Sequence, residues 1–215
     1  MLVQESGDVP GGRPTDIEDG GLSAPAGSLC QVTDEAELWN RLAALLPEAE
    51  AREVRDCWDI GEQEAGLGLL VSGVLAHQVP ISGTIRAQIS VLAESWGQRE
   101  ALTPQILQCR GEVDPDLLKL IEGDAGTASE AVGTVEQSLT GLVVVPWIAC
   151  TRCGQVLMRA HARETWGDLS YLARHYVITT PSRPDLLVFP ADSAGAAFAS
   201  LQRACSDAPS ESSTR

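Results

Sequence analysis

Two cysteines and a glycine carry the clearest chemical signal in this sequence, Cys150-Thr151-Arg152-Cys153-Gly154. Thiolates three residues apart on a tight turn can grip one Zn²⁺, and a glycine after the second permits the turn. A closed tetrahedral site needs two more ligands, and no second Cys-x-x-Cys exists. His161, His175 and Cys205 are the nearby candidates, and His161 and His175 are taken here as the completing pair. Zinc is therefore the possible cofactor, and a knuckle that holds no metal is the rival reading. A third reading is a thioredoxin-type dithiol, with Thr180-Pro181 as its facing proline. That chemistry wants the first cysteine at a helix N-terminus, and Gly154 with Val156-Leu157 starts a helix poorly.

The second constellation is a run of carboxylates. Glu48, Glu50, Glu53, Asp56, Asp59, Glu62 and Glu64 face only Arg52 and Arg55 over the same stretch. Such a run is a solvated helix face or a surface for a basic partner, whose arrival it would steer. The expected partner contacts are Asp56, Asp59, Glu62 and Glu64. No D-x-D-x-D-G loop is present, so calcium is not implicated. Phosphate loops, dinucleotide fingerprints and serine nucleophile elbows are missing as well, and no catalytic residue or small-molecule substrate is indicated.

The elements that must position these groups begin with a helical pair. Leu67, Leu70, Val71, Val74 and Leu75 recur at helical spacing, Pro80 ends that run, and Ser82 caps a second run carrying Ile85, Ile89, Leu92 and Trp96. Gly97 stands where a C′ glycine belongs. The spacing predicts an αα-hairpin over Cys57 to Gly97. Within it, Gly61-Glu62, Gly66-Leu67, Leu69-Leu70 and the turn Val79-Pro80-Ile81-Ser82 resemble the small helical immunity proteins of bacterial polymorphic toxin systems, of the MafI and contact-dependent-inhibition types. The resemblance covers about residues 34–109. It implies a non-enzymatic protein that neutralises a cognate toxin by binding it, and the toxin domain would be basic.

Around the hairpin the sequence predicts a mainly α protein in two units. Residues 1–33 are rich in Gly, Pro, Ser and Asp and read as disordered. A helical domain follows at 34–123, opened by an Asp34/Glu37 capping box. It includes short helices entered through Thr103-Pro104 and Asp114-Pro115. Residues 124–140 form a linker. A small α+β unit at 141–205 holds the Cys-x-x-Cys knuckle between strands at Leu142–Cys150 and Gln155–His161, with a third strand over Leu186–Phe189 and a last helix. Trp166 to Tyr176 reads as a short helix or irregular, and residues 206–215 as a disordered tail.

Charge supports the division. Residues 34–109 carry twelve acids against five bases, and residues 141–204 four against six. The net charge of −15 argues against nucleic acid as a partner, since phosphate backbones require a basic surface. No apolar run reaches membrane-spanning length, and the first residues lack the basic and apolar regions of a signal peptide. The expected location is the cytoplasm, where six irregularly spaced cysteines are thiols or metal ligands before they are disulfides.

Overall fold

The computed structural model describes residues 27–112, 117–121, 137–181 and 183–207. Five helices come first: α1 (Gly27–Ala43), α2 (Glu48–Asp59), α3 (Gln63–Ala76), α4 (Gly83–Ser95) and α5 (Arg99–Gln108). Five strands follow: β1 (Leu118–Leu120), β2 (Leu142–Cys150), β3 (Val156–Ala162), β4 (His175–Thr180) and β5 (Arg183–Pro190). Helix α6 (Ala194–Asp207) closes the chain. The strands form one antiparallel meander in the order β1-β2-β3-β4-β5. A five-stranded sheet overturns the mainly α expectation, because the second half is larger than a small knuckle-bearing unit.

Three local corrections explain the difference. Leu118–Leu120, expected in a helix, is a strand in which Leu118 is buried and Lys119 exposed, with Leu118 opposite Cys150 of β2. His175–Thr180 is a strand where the reading stopped at an irregular segment. Its Val177-Ile178-Thr179-Thr180 run is β-branched, which suits a pleated surface. Pro104 does not open a helix. It sits inside α5, which begins at Arg99, and the Thr103 hydroxyl donates to the Arg99 carbonyl at 2.7 Å in the turn that the proline weakens. The Asp34/Glu37 capping box likewise falls inside α1.

Ser82 does cap α4, its hydroxyl accepting from the Ile85 N–H at 3.2 Å. Gly97, at φ +65°, ends that helix: its N–H donates to the Glu94 carbonyl and the next N–H, of Gln98, to that of Ala93. The two helices of the expected αα-hairpin, α3 and α4 on either side of the Val79–Ser82 turn, each pair more with another helix than with each other. α3 lies chiefly along α2, and α4 along α5. Gly66 makes the first approach possible, since a Cβ there would stand 2.7 Å from Trp39 Cζ2 and 2.9 Å from Cys57 Cβ.

Two apolar cores meet along α4. Ile89 and Leu92 join Trp39, Leu67, Leu70 and Val74 in the helical core. Ala87 and Val91, on the other side of α4, join Ile148, Leu157, Ile178 and the inner face of α6 in the sheet core. A smaller cluster of Leu139, Val144, Ala160 and Val177 covers the opposite sheet face. The expected tails lie largely outside the described residues, as does most of the linker, but its end at Gln137–Leu139 is a 3₁₀ turn with Leu139 buried. Among the described residues no helix is long and apolar enough to cross a membrane.

Candidate metal centre

The thiol pair forms at the end of a strand. Cys150 is the last residue of β2, and the turn after it is closed by the Gly154 N–H donating to the Cys150 carbonyl (3.1 Å) and the Cys150 N–H donating to that of Gln155 (2.8 Å). Gly154 takes φ +68°, with Pro181 Cγ only 3.0 Å from where a Cβ would project, so glycine is required twice over. The turn aims the Cys153 N–H at the Cys150 sulfur, 3.4 Å away. The third thiol arrives from the far end of the chain. Cys205 extends the buried face of α6 made by Ala197, Phe198 and Leu201, and its Sγ lies 3.5 Å from that of Cys153.

Cys150, Cys153 and Cys205 thus place three sulfurs within 4.8 Å of one another. Tetrahedral Zn–S bonds of about 2.3 Å put sulfurs about 3.8 Å apart, so the three can bind a metal with small adjustments. The electrostatics lean the same way. Burial pushes the Cys150 thiol up, but hydrogen bonds from Cys205, from the Cys153 N–H and thiol, and from the Arg152 N–H outweigh it and bring it below the ordinary range. Cys205 moves strongly upward, through burial and through donating to the other two sulfurs. A metal bound here would displace the remaining thiol protons.

Neither histidine reaches the cluster. β2 and β3 are antiparallel, with Ala149 opposite Val156 and Val143 opposite His161, so His161 lies six residues along the sheet from the thiol end, about 20 Å. His175 is opposite Ala160 on β4, at that same remote end. His161 is buried, with Nδ1 2.7 Å from the Ser170 carbonyl, which fixes Nδ1 as the donor. Burial first, and Arg159 second, lower its pKa from 6.5 to about 4.

That shift carries a stability prediction. The unfolded chain takes the proton at ordinary pH values and the folded chain does not. The contribution of neutral His161 is therefore complete above about pH 6.5 and is lost as pH falls toward 4, by roughly 3 kcal/mol in all. Urea unfolding between pH 7 and pH 4, with chelator present throughout, should show this slope. His161→Phe should flatten it, and an equally steep slope in that variant would assign the effect elsewhere.

The four expected contact carboxylates are brought together at the α2–α3 turn. Asp56 and Asp59 end α2, Glu62 precedes α3, and Glu64 stands in its first turn. All four are exposed, and none joins an ion pair among the described residues. Between them Ile60 is 69% exposed. The field of this patch reaches Cys57, whose thiol is pushed up by burial and then by Glu62, Asp56 and Glu53.

The sequence reading missed a buried ionic group at the junction of the two cores. Glu94 of α4 accepts from the Tyr176 hydroxyl (3.2 Å) and pairs with Arg99 (2.9 Å) and Arg159 (3.5 Å). Trp147 lies beside Arg159, 5.6 Å from guanidinium carbon to ring centre, and its indole N–H donates to the Ser90 hydroxyl at 3.0 Å. A signal existed in strand parity: Leu157, Arg159 and His161 alternate onto one face, and Leu157 is core. Comparison with protein-family models, curated proteins and solved structures gives no match, so function has to be argued from the chain's own geometry.

Proposed function

We propose that this chain is a non-enzymatic binding protein whose C-terminal half is stapled by a structural zinc ion held by Cys150, Cys153 and Cys205. The observation that carries this reading is the convergence of three sulfurs from a strand end, its turn and the last helix. The zinc would tie α6 to the sheet. A thiol-redox role fits less well. Exchange needs an accessible thiolate, whereas the Cys150 and Cys205 side chains are both buried and Cys150 sits at a strand end rather than at a helix N-terminus. Elemental analysis of protein purified without chelator tests the proposal. One zinc per chain is expected, and a metal-free preparation that keeps its fold would contradict it.

For the partner, we favour a basic protein domain, consistent with a toxin-neutralising role of the immunity type in the cytoplasm. The favouring observation is the exposed Ile60 at the α2–α3 turn, flanked along the chain by the exposed Asp56, Asp59, Glu62 and Glu64. Apolar centres with charged rims are common at protein interfaces. Asp56 and Asp59 also stand at the C-terminal end of α2, where the helix dipole disfavours negative charge. Glu62 stands instead at the N-terminal end of α3, where the dipole favours it, so the two effects of Asp59→Lys with Glu62→Lys oppose each other and stability should change by no more than a few tenths of a kcal/mol. Binding to a basic partner, by contrast, should weaken by several kcal/mol. Salt-dependent titration against a basic toxin domain encoded beside this chain's gene checks both halves. Equal affinities for the variant and the parent would leave the patch as solvated surface.

A further inference from the structure

The ionic group at the junction borders a cavity of about 210 Å³, lined by Ser90, Arg99, Thr103, Trp147 and Arg159 among others. Two guanidiniums share one buried carboxylate, Glu94, in a place largely cut off from water; the second carboxylate that Arg99 meets, Glu100, is 3.9 Å away with its side chain mostly exposed. Arg159 is only 5% exposed, and its Nε and Nη1 have no hydrogen-bond partner among the described residues. Glu94 does not fill the need. Its Oε2 is 3.5 Å from Arg159 Nη1, and although it is 2.9 Å from Arg99 Nε, that N–H is not directed at an acceptor. Its other oxygen already takes the Tyr176 hydroxyl. Buried donors without acceptors cost stability, most of all when they carry charge.

We propose that this cavity is a binding site for a small oxyanion, whose oxygens would accept from the idle guanidinium N–H groups of Arg159 and Arg99. Water could satisfy donors, but it brings no counter-charge to two guanidiniums that share a single buried carboxylate. Guanidinium donors suit the oxygens of phosphate and carboxylate groups, and the size of the cavity restricts the ligand to a compact one. Trp147, braced by Ser90, holds the Arg159 side chain in place against its ring face. Because Arg99 belongs to α5, Arg159 to β3 and Glu94 to α4, a bound anion would join the helical half to the sheet. The site is separate from both the thiols and the acidic turn.

Inorganic phosphate is the first probe and malonate the second, each titrated into the full chain against sodium chloride at matched ionic strength. The readouts are the Trp147 indole N–H resonance, assigned with Trp147→Phe, and the melting temperature. A saturable shift of that resonance with a rise in melting temperature, for either probe but not for chloride, is expected. Phosphate acting alone points to phosphate-bearing ligands, and malonate alone to short carboxylates. Arg159→Gln should weaken binding by about tenfold or more. Arg99, at the rim with its side chain 17% exposed, provides the same comparison as Arg99→Gln if Arg159→Gln does not fold. A Trp147 resonance unmoved by both probes, a response equal to that of chloride, or undiminished affinity in a folded arginine variant would overturn the proposal.

Discussion

Cys205→Ser is expected to abolish zinc binding and to lower stability by about 4 kcal/mol when free zinc stands a thousandfold above the parent's dissociation constant. The size follows from mass action: a ligand that binds only the folded chain stabilises it by the full free energy of binding at that concentration. Cys205 is the ligand that makes the metal a staple, because it alone comes from α6. Its sulfur meets that of Cys153 across 52 residues of chain. Serine there would also leave a hydroxyl in a buried site. The check is urea unfolding of parent and variant, each with and without chelator. The parent should fall to about the level of the variant when chelator is added, and the variant should not respond. A parent indifferent to chelator would mean that the thiols are merely packed against one another.

The second large effect belongs to Glu94. Its side chain is 2% exposed, against 17% for Arg99 and 6% for Arg159. Burial first, then repulsion from Arg99, lower the Arg159 pKa to about 10, with Glu94 opposing them. Removing the carboxylate leaves Arg159 without its buried counter-charge, leaves Arg99 with only the exposed Glu100 at 3.9 Å, and takes the acceptor from Tyr176. Glu94→Ala should therefore cost about 3–5 kcal/mol, the range for breaking a buried pair from one side. Replacing both partners, as Glu94→Leu with Arg159→Met, should recover much of that loss, since the desolvation cost disappears with the charges. Thermal unfolding of the single and double variants distinguishes the outcomes. A double variant as weak as Glu94→Ala would mean that shape, and not charge, sets the cost.

How much of this was legible in the sequence depended on how local each signal was. The Ser82 cap, the Gly97 stop and the strand Leu142–Cys150 each depend on neighbours within one element, and they stand where the sequence places them. Pro104 misled because a proline after a threonine looks like a helix start, whereas the turn at Gly97-Gln98 had already started α5. β1 is three residues long, too short to show a period, and it exists because β2 offers an edge to pair with. The metal site divided along the same line. Cys150 and Cys153 announce themselves by spacing and by Gly154. Cys205 does not, because what brings it there is the packing of α6 on the sheet. Its position on the apolar face with Ala197, Phe198 and Leu201 was the usable clue, while His161 and His175, closer in sequence, sit at the wrong end of antiparallel strands. Arg159 and Glu94 illustrate the remaining gap, since a buried charge on one element becomes plausible only once its partner on another is known.

The most direct measurement counts the thiolates around the metal. Cobalt(II) titrated into reduced, metal-free protein takes up zinc sites and reports its ligands by absorption, through thiolate-to-metal charge transfer and the intense visible bands of tetrahedral geometry. The parent should bind one cobalt with a tetrahedral spectrum of three thiolates, displaced by one zinc. Charge-transfer and tetrahedral bands alike should be lost in Cys205→Ser, which no longer holds the metal, and should not change in His161→Phe or His175→Phe. A spectrum insensitive to Cys205 but altered by either histidine variant would contradict the three-thiol centre.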